Sequence, residues 1–177
     1  MAEDQGKSIK KVIENSSGRT VFTIAVEKED REMALKIVED CEYATIASIN
    51  PDGTPYCIPI SPVVMGDYIY FHGTKKGQKV TNILHDPHVC LSAVGQSRQR
   101  PEAYTADFTS TIVAGTMSIV KDDAEKIEVL RKVCLKFAPS NMQMFDEAIS
   151  VALKPAGVYK IEIDTVTHKQ HTAPEAN

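Results

Sequence analysis

Residues 43–73 read YATIASINPDGTPYCIPISPVVMGDYIYFHG, three runs rich in β-branched and aromatic residues separated by two turn signals. The first two runs are joined by Asn50-Pro51-Asp52-Gly53, where proline fixes one φ and glycine supplies a positive one, so they form an expected β-hairpin. Met65-Gly66-Asp67 then turns the chain back into YIYFHG. Pro55, Pro59 and Pro62 remove backbone donors from the second run, which therefore is expected to lie at a sheet edge or to leave its free carbonyls facing something other than a strand. A bound ligand is one partner for them.

Upstream, TVFTIAV (20–26) is an expected strand, and a helix is expected from Asp30 as its cap, with Met33, Ala34, Ile37, Val38 and Cys41 on its apolar face. Downstream, HVCLSAV (88–94) gives a strand and GQSRQRPEA a polar excursion. YTADFTSTIVAGTMSIV (104–120) is a long β-rich run whose Gly115 marks a bulge that lets a sheet curl into a barrel. Asp122 and Glu125 have capping-box spacing ahead of a helix with Ile127, Leu130, Cys134 and Phe137 as its stripe, stopped by Pro139. A helical piece at 141–149, a last strand at 156–166 and a loose tail complete the chain. The expected class is mostly β: an antiparallel β-barrel with peripheral α-helices.

At 177 residues and 42% hydrophobic content the chain has room for one core. A net charge of -4 and a pI near 5.7 argue against a nucleic-acid or membrane-surface partner, which needs an extended basic face. No apolar run approaches the roughly 20 residues of a membrane span, and the expected location is cytoplasmic. Cys41, Cys57, Cys90 and Cys134 lack C-x-x-C spacing and read as buried thiols; Pro87 interrupts the His85/His88 pair, so no metal site is expected.

The stretch FHGTKKGQKVTNILHDP (71–87) carries the chemistry. A strand delivers His72, Gly73 and Thr74 to its end, and Lys75, Lys76, Gly77, Gln78 and Lys79 lead into a helix with Val80, Ile83 and Leu84 as its apolar face. Free amides at a helix start, glycines that permit close approach and a lysine charge suit a phosphate. A solvated lysine loop is the alternative on physical grounds alone.

Together with PDGTPYCIPI, this stretch resembles the flavin-binding split-barrel superfamily typified by pyridoxamine 5'-phosphate oxidase, and within it the 5-nitroimidazole-resistance (Nim) branch. Tyr70, Phe71, His72, Gly73, Gly77, Lys79, Asp86 and Pro87 stand in the order of that branch's pattern. DREM (30–33) resembles the opening of its first helix, and residues 108–139 its long strand, acidic turn and helix. The likeness spans about residues 28 to 166, leaving 1–27 as an N-terminal extension and 167–177 as a C-terminal tail.

The resemblance implies a split barrel that forms a homodimer and holds FMN at the subunit interface. It places the phosphate at His72, Gly73, Thr74, Gln78 and Lys79, and the ring along the backbone of Ile58, Pro59, Ile60 and Ser61, with Tyr104 and Ser110 lining the pocket. Where the family often has Ser-Arg-Lys, this chain has Gly77-Gln78-Lys79, with Lys75 and Lys76 nearby as substitute charge. It also has no Trp, which pyridoxamine phosphate oxidases use near the C-terminus. The implied activity is an FMN-dependent, nitroreductase-like reduction of a small molecule, with a nicotinamide donor. His72, the one group of near-neutral intrinsic pKa in the matched motifs, is the candidate catalytic proton donor or a substrate contact over the ring; a histidine that only bonds the phosphate or packs at the strand end is the equal alternative. A flavin carrier without turnover is the second class. A small barrel that binds single-stranded nucleic acid is the third, opposed by the acidic balance and 6% aromatic content.

Overall fold

The structure, a computed structural model, describes residues 12–14, 20–23 and 28–172, with side chains from Arg31 onward. Helix α1 (Lys28–Asp40) is followed by the hairpin of β3 (Ala44–Ile49) and β4 (Pro55–Ile60), in which Ile46 pairs with Ile58. Its turn is closed by the Gly53 N–H on Asn50 O at 2.8 Å, and Gly53 has the positive φ of 84° that the turn requires. The short strands β1 (Val12–Glu14) and β2 (Thr20–Thr23) precede α1.

Next come β5 (Val63–Met65), β6 (Tyr68–Thr74), α2 (Gln78–His85), β7 (His88–Arg100), β8 (Thr105–Ile119), α3 (Asp123–Phe137), α4 (Phe145–Ala152) and β9 (Ala156–His171). The strands form one antiparallel path, β4-β3-β7-β8-β9-β6-β5, with β2 on the far half of β9 and β1 beyond it. The sheet curls around Ile46, Ile60, Phe71, Leu91, Val113 and Tyr159, joined by Ala34, Ile37 and Val38 of α1. Strands β4 and β5, linked only by Ser61 and Pro62, pair with β3 and β6 and not with each other, so the barrel is split there. The expected edge placement of the proline-rich strand holds.

Gly115 marks a register shift in β8, as its position suggested. A Cβ there would sit 2.3 Å from Glu162 O, so only glycine allows β9 to cross at this distance. The Asp122 side chain accepts from the Glu125 N–H at 2.8 Å and caps α3.

Several expectations shift. Helix α1 starts two residues before Asp30, and Met33 is 47% exposed rather than core. The buried face of α3 is Lys126, Val129, Leu130 and Val133, rotated from the expected stripe because the helix packs on the outer side of β6 and β9 and on α4 at once. Strand β7 continues through the expected polar excursion to Arg100, and β9 runs on to His171; both extensions pair with β8, the first largely exposed and the second half-buried, so no apolar alternation announces them. Of the cysteines expected to be buried, Cys57 and Cys90 are exposed, because both lie on the outer face of the sheet. No helix among the described residues is long and apolar enough to cross a membrane.

Candidate functional site

A cleft of about 390 Å³ opens where the split edge, the end of β6 and the start of α2 meet. Ile58, Pro59, Ile60 and Ser61 form one wall, Phe71, His72 and Gly73 another, and Lys79 and Tyr43 complete it. Residues some twenty positions apart in sequence, singled out for different reasons, thus share one hollow.

The β4 wall follows from the absence of proline N–H groups. In an antiparallel pair, residues alternate between turning their backbone groups toward the neighbouring strand and away from it. Pro59 pairs with Thr45 and Pro55 with Ile49, and neither proline can donate to β3, so these are the outward-turned positions. Ile58 and Ile60 therefore spend their backbone groups on Ile46 and Ala44. The free edge is made by Cys57 and Pro59, with Ser61 next along the chain: carbonyls outnumber donors, and Cys57 and Ser61 carry the N–H groups. Ile58 and Ile60 contribute side chains instead, and Ile60 is 7% exposed beneath the cleft floor.

Lys79 supplies the charge. Its Nζ donates to Thr74 Oγ1 at 3.2 Å and lies 5.1 Å from the centre of the Tyr159 ring, and no carboxylate among the described residues pairs with it. Burial pulls its ammonium below the usual lysine range, a cost that an anion in the cleft would offset. The side chain crosses the face of Gly73, where a Cβ would stand 3.3 Å from Lys79 Cε. Phe71 and Tyr159 stack beneath at 4.9 Å, and the Tyr159 hydroxyl donates to Thr74 O, fixing the strand end.

Gly77 opens α2 at φ 106° without a side-chain cap, and the first backbone bonds run from Val80 and Thr81 to Gly77 O. The amides of Gln78 and Lys79 are thereby left without an intrahelical acceptor. Thr74 Oγ1 donates to Lys76 O at 2.7 Å and closes the loop. His72 is solvent-accessible at the rim, yet the surrounding protein desolvates it enough to hold its pKa below the ordinary 6.5.

Ile58, Pro59, Ile60, Ser61, His72, Gly73 and Lys79 come together as the sequence suggested, with Thr74 joined through Lys79. Gln78 is adjacent, but its side chain donates to Asn82 Oδ1 at 2.8 Å. Tyr104, 98% exposed with φ 50° at the tip of the β7–β8 hairpin, and Ser110 on β8 do not line this cleft within one chain. Tyr43 and Asn82 went unnoticed in the sequence; a tyrosine beside a strand start and an asparagine in an amphipathic helix carry no local signal of a site. A larger hollow of about 870 Å³ between α1 and β7 shares Tyr43, but its Lys36 is already paired with Asp40 at 2.7 Å.

Residues 30–170 match the family model described as pyridoxamine 5'-phosphate oxidase. None of the curated proteins gives a significant match. Among solved structures, the chain resembles a candidate 5-nitroimidazole antibiotic resistance protein of Bacteroides thetaiotaomicron, at 16% identity and TM-score 0.65 over 83% of this chain and 86% of that one. It is also similar to an FAD- and haem-binding protein of Mycobacterium smegmatis, at 18% identity and TM-score 0.64 over 83% and 74%. A conserved hypothetical protein of Mycobacterium tuberculosis aligns at 17% identity and TM-score 0.68 over 93% and 96%. At these identities the likeness is one of fold.

Proposed function

The chain belongs to the pyridoxamine 5'-phosphate oxidase family, and from that premise we propose that it is an FMN-binding oxidoreductase that reduces a small molecule, in the manner implied by its likeness to the nitroimidazole-resistance branch. The observation that carries this reading is Lys79, partly desolvated and without a carboxylate partner among the described residues, in a cleft walled by a proline-rich edge strand. Flavin binding by one fold neighbour, the FAD- and haem-binding protein of Mycobacterium smegmatis, is consistent with it.

The residues fit such a group. A terminal phosphate finds the Lys79 ammonium and the amides of Gln78 and Lys79, all at one helix start, with the Thr74 hydroxyl holding the lysine in place. A flat ring with polar edges finds the carbonyls and N–H groups of the Cys57–Ser61 edge, and apolar cover from Ile58 and Ile60. Bound FMN supplies hydride and single-electron transfer. The protein's part is to orient the ring, exclude water from one side and hold a proton at His72. The absence of Trp speaks against pyridoxamine phosphate oxidation, while Gly77-Gln78 in place of Ser-Arg leaves the phosphate with one cation and one hydroxyl fewer.

A second copy of the chain completes the site. The outer face of β4-β3-β7-β8 carries Cys57, Pro59, Thr45, Ala47, Ile49, Cys90, Ser92, Val94, Ser110, Ile112 and Ala114 in register, with no Asp, Glu, Lys or Arg among them. Val94 is 55% and Ile112 42% exposed, and no described element covers the face. An uncharged exposed patch of this kind supports an interface with a second copy, and because its margin is the strand that walls the cleft, such a dimer would have its flavin beside the seam.

The test is the visible spectrum of the purified protein, followed by heat release and identification of the pigment. FMN at one per chain is expected. A colourless protein that takes up neither FMN nor FAD on titration would overturn the reading. Oxidation of a nicotinamide donor with a nitroaromatic acceptor then separates a reductase from a flavin carrier.

A further inference from the structure

Helix α2 is held to the barrel in an unusual way for a two-turn amphipathic helix. Leu84, expected on its apolar face, is 75% exposed, and its fully buried residue is the polar Asn82, at 0%. Asn82 Nδ2 donates to Ser48 Oγ at 3.0 Å, a hydroxyl on β3 that is itself 7% exposed. Asn82 Oδ1 accepts from Gln78 Nε2 at 2.8 Å, one turn toward the helix start. Its main-chain carbonyl accepts from the Asp86 N–H at 2.7 Å and ends the helix before Pro87.

A buried amide costs stability unless its groups are satisfied, and a satisfied one specifies a single register where an apolar contact would tolerate sliding. Here the satisfied groups tie the helix to the sheet at Ser48 and hold the side chain of the exposed Gln78 along the helix, one residue before the lysine that faces the cleft. Helix α2 contributes Lys79 and two free amides to the site, so a shift of about 1 Å along the sheet would misplace all three together.

We propose that Asn82 is the positioning residue of the anion site: through Ser48 and Gln78 it sets the depth and rotation of α2, and so fixes where Lys79 and the amides of Gln78 and Lys79 meet a phosphate. Gln78 serves through its backbone N–H, its side chain being engaged with Asn82. This rests on the flavin reading above, with the phosphate of FMN as the anion. Asn82 touches no ligand atom.

The experiment compares FMN with riboflavin, which has the same ring and no phosphate, by fluorescence titration of apo protein. Asn82→Leu keeps the volume and removes both side-chain hydrogen bonds; Ser48→Ala removes one and leaves α2 intact, and serves if the first variant does not fold. For Asn82→Leu the FMN Kd is expected to rise about tenfold, the scale of one well-placed charged hydrogen bond, while that of riboflavin changes less than about twofold; Ser48→Ala should move the same way by a smaller factor. Equal losses for both flavins, or unchanged FMN affinity in both variants, would overturn the assignment and leave Asn82 a packing residue. Wild-type protein that binds riboflavin no more weakly than FMN would remove the phosphate site on which it depends. Wild-type protein that binds neither would overturn the flavin reading itself, and the assignment with it.

Discussion

Lys79 Nζ and Thr74 Oγ1 meet at 3.2 Å across the mouth of the cleft, the lysine from a helix and the threonine from the end of a strand. The pair leaves most of the ammonium's donor capacity free. A hydrogen bond to a charged group is worth about 1.5–3 kcal/mol, so Lys79→Ala is expected to weaken FMN binding by roughly tenfold or more. Added FMN should restore the holoprotein. Titration of apo Lys79→Ala with FMN and riboflavin checks this, and an unchanged FMN affinity would move the phosphate elsewhere.

Gly73 makes that geometry possible. A Cβ added to it stands 3.3 Å from Lys79 Cε and 3.4 Å from Nζ, so Gly73→Ala pushes the lysine aside without touching the backbone. The expected result is a folded protein with reduced FMN affinity and near-normal thermal stability. A large fall in Tm with affinity intact would show that the lysine adapts and the strand does not.

Desolvation by the surrounding protein holds the pKa of the rim residue His72 below the ordinary 6.5, so the folded state binds its proton less readily than the unfolded chain. Its contribution to stability is therefore complete above pH 6.5 and declines as pH falls from there through the folded pKa. At neutral pH the ring is uncharged, and proton donation would grow toward acid. NMR titration of the imidazole should give a midpoint below 6.5 in apo protein. FMN should raise that midpoint, because an anion beside Gly73 and Lys79 favours the imidazolium. A fall on binding would set His72 against the ring instead. His72→Ala with full turnover at saturating FMN would remove it from the mechanism.

The legible features were those with a local cause. Proline's missing N–H placed β4 at the edge, glycine's freedom placed the turn at Gly53 and the bulge at Gly115, and of the run from His72 to Lys79 the residues His72, Gly73 and Lys79 line one cleft. The illegible ones depend on partners distant in sequence. Whether Val129 or Ile127 faces inward depends on α4 and on the back of β6. The extensions of β7 and β9 show no alternation of buried and exposed positions, so their hydrogen bonds leave no trace in residue type. Asn82 reads as a solvated helix residue until Ser48, thirty-four positions earlier, is seen beneath it.

Gly115 tests the barrel itself. With Glu162 O 2.3 Å and Ile161 Cγ2 2.8 Å from an added Cβ, Gly115→Ala must displace backbone. Overpacking of this kind costs about 1–3 kcal/mol, and a protein of this size loses about 2–4 °C of Tm per kcal/mol. Calorimetry should find that loss with or without flavin. An unchanged Tm would mean that β8 and β9 part easily at the bulge.

The uncharged outer face gives the last test, which joins assembly to cofactor binding. Cys57, Ala47, Cys90 and Ala114 stand side by side on four consecutive strands, so Ala114→Asp sets a charge within a face that otherwise has none. If a second copy covers this face, that carboxylate is buried twice about the symmetry axis and must either lose its charge or part the chains. The wild type is expected to be a dimer by light scattering, with Cys57 and Cys90 slow toward a thiol reagent although both are exposed on the single chain. Ala114→Asp should give a folded monomer whose two thiols react quickly and whose FMN affinity falls, since β4 borders both the face and the cleft. A wild-type monomer with fast thiols and one FMN per chain would show that the cleft is complete within one chain and that the face serves another purpose.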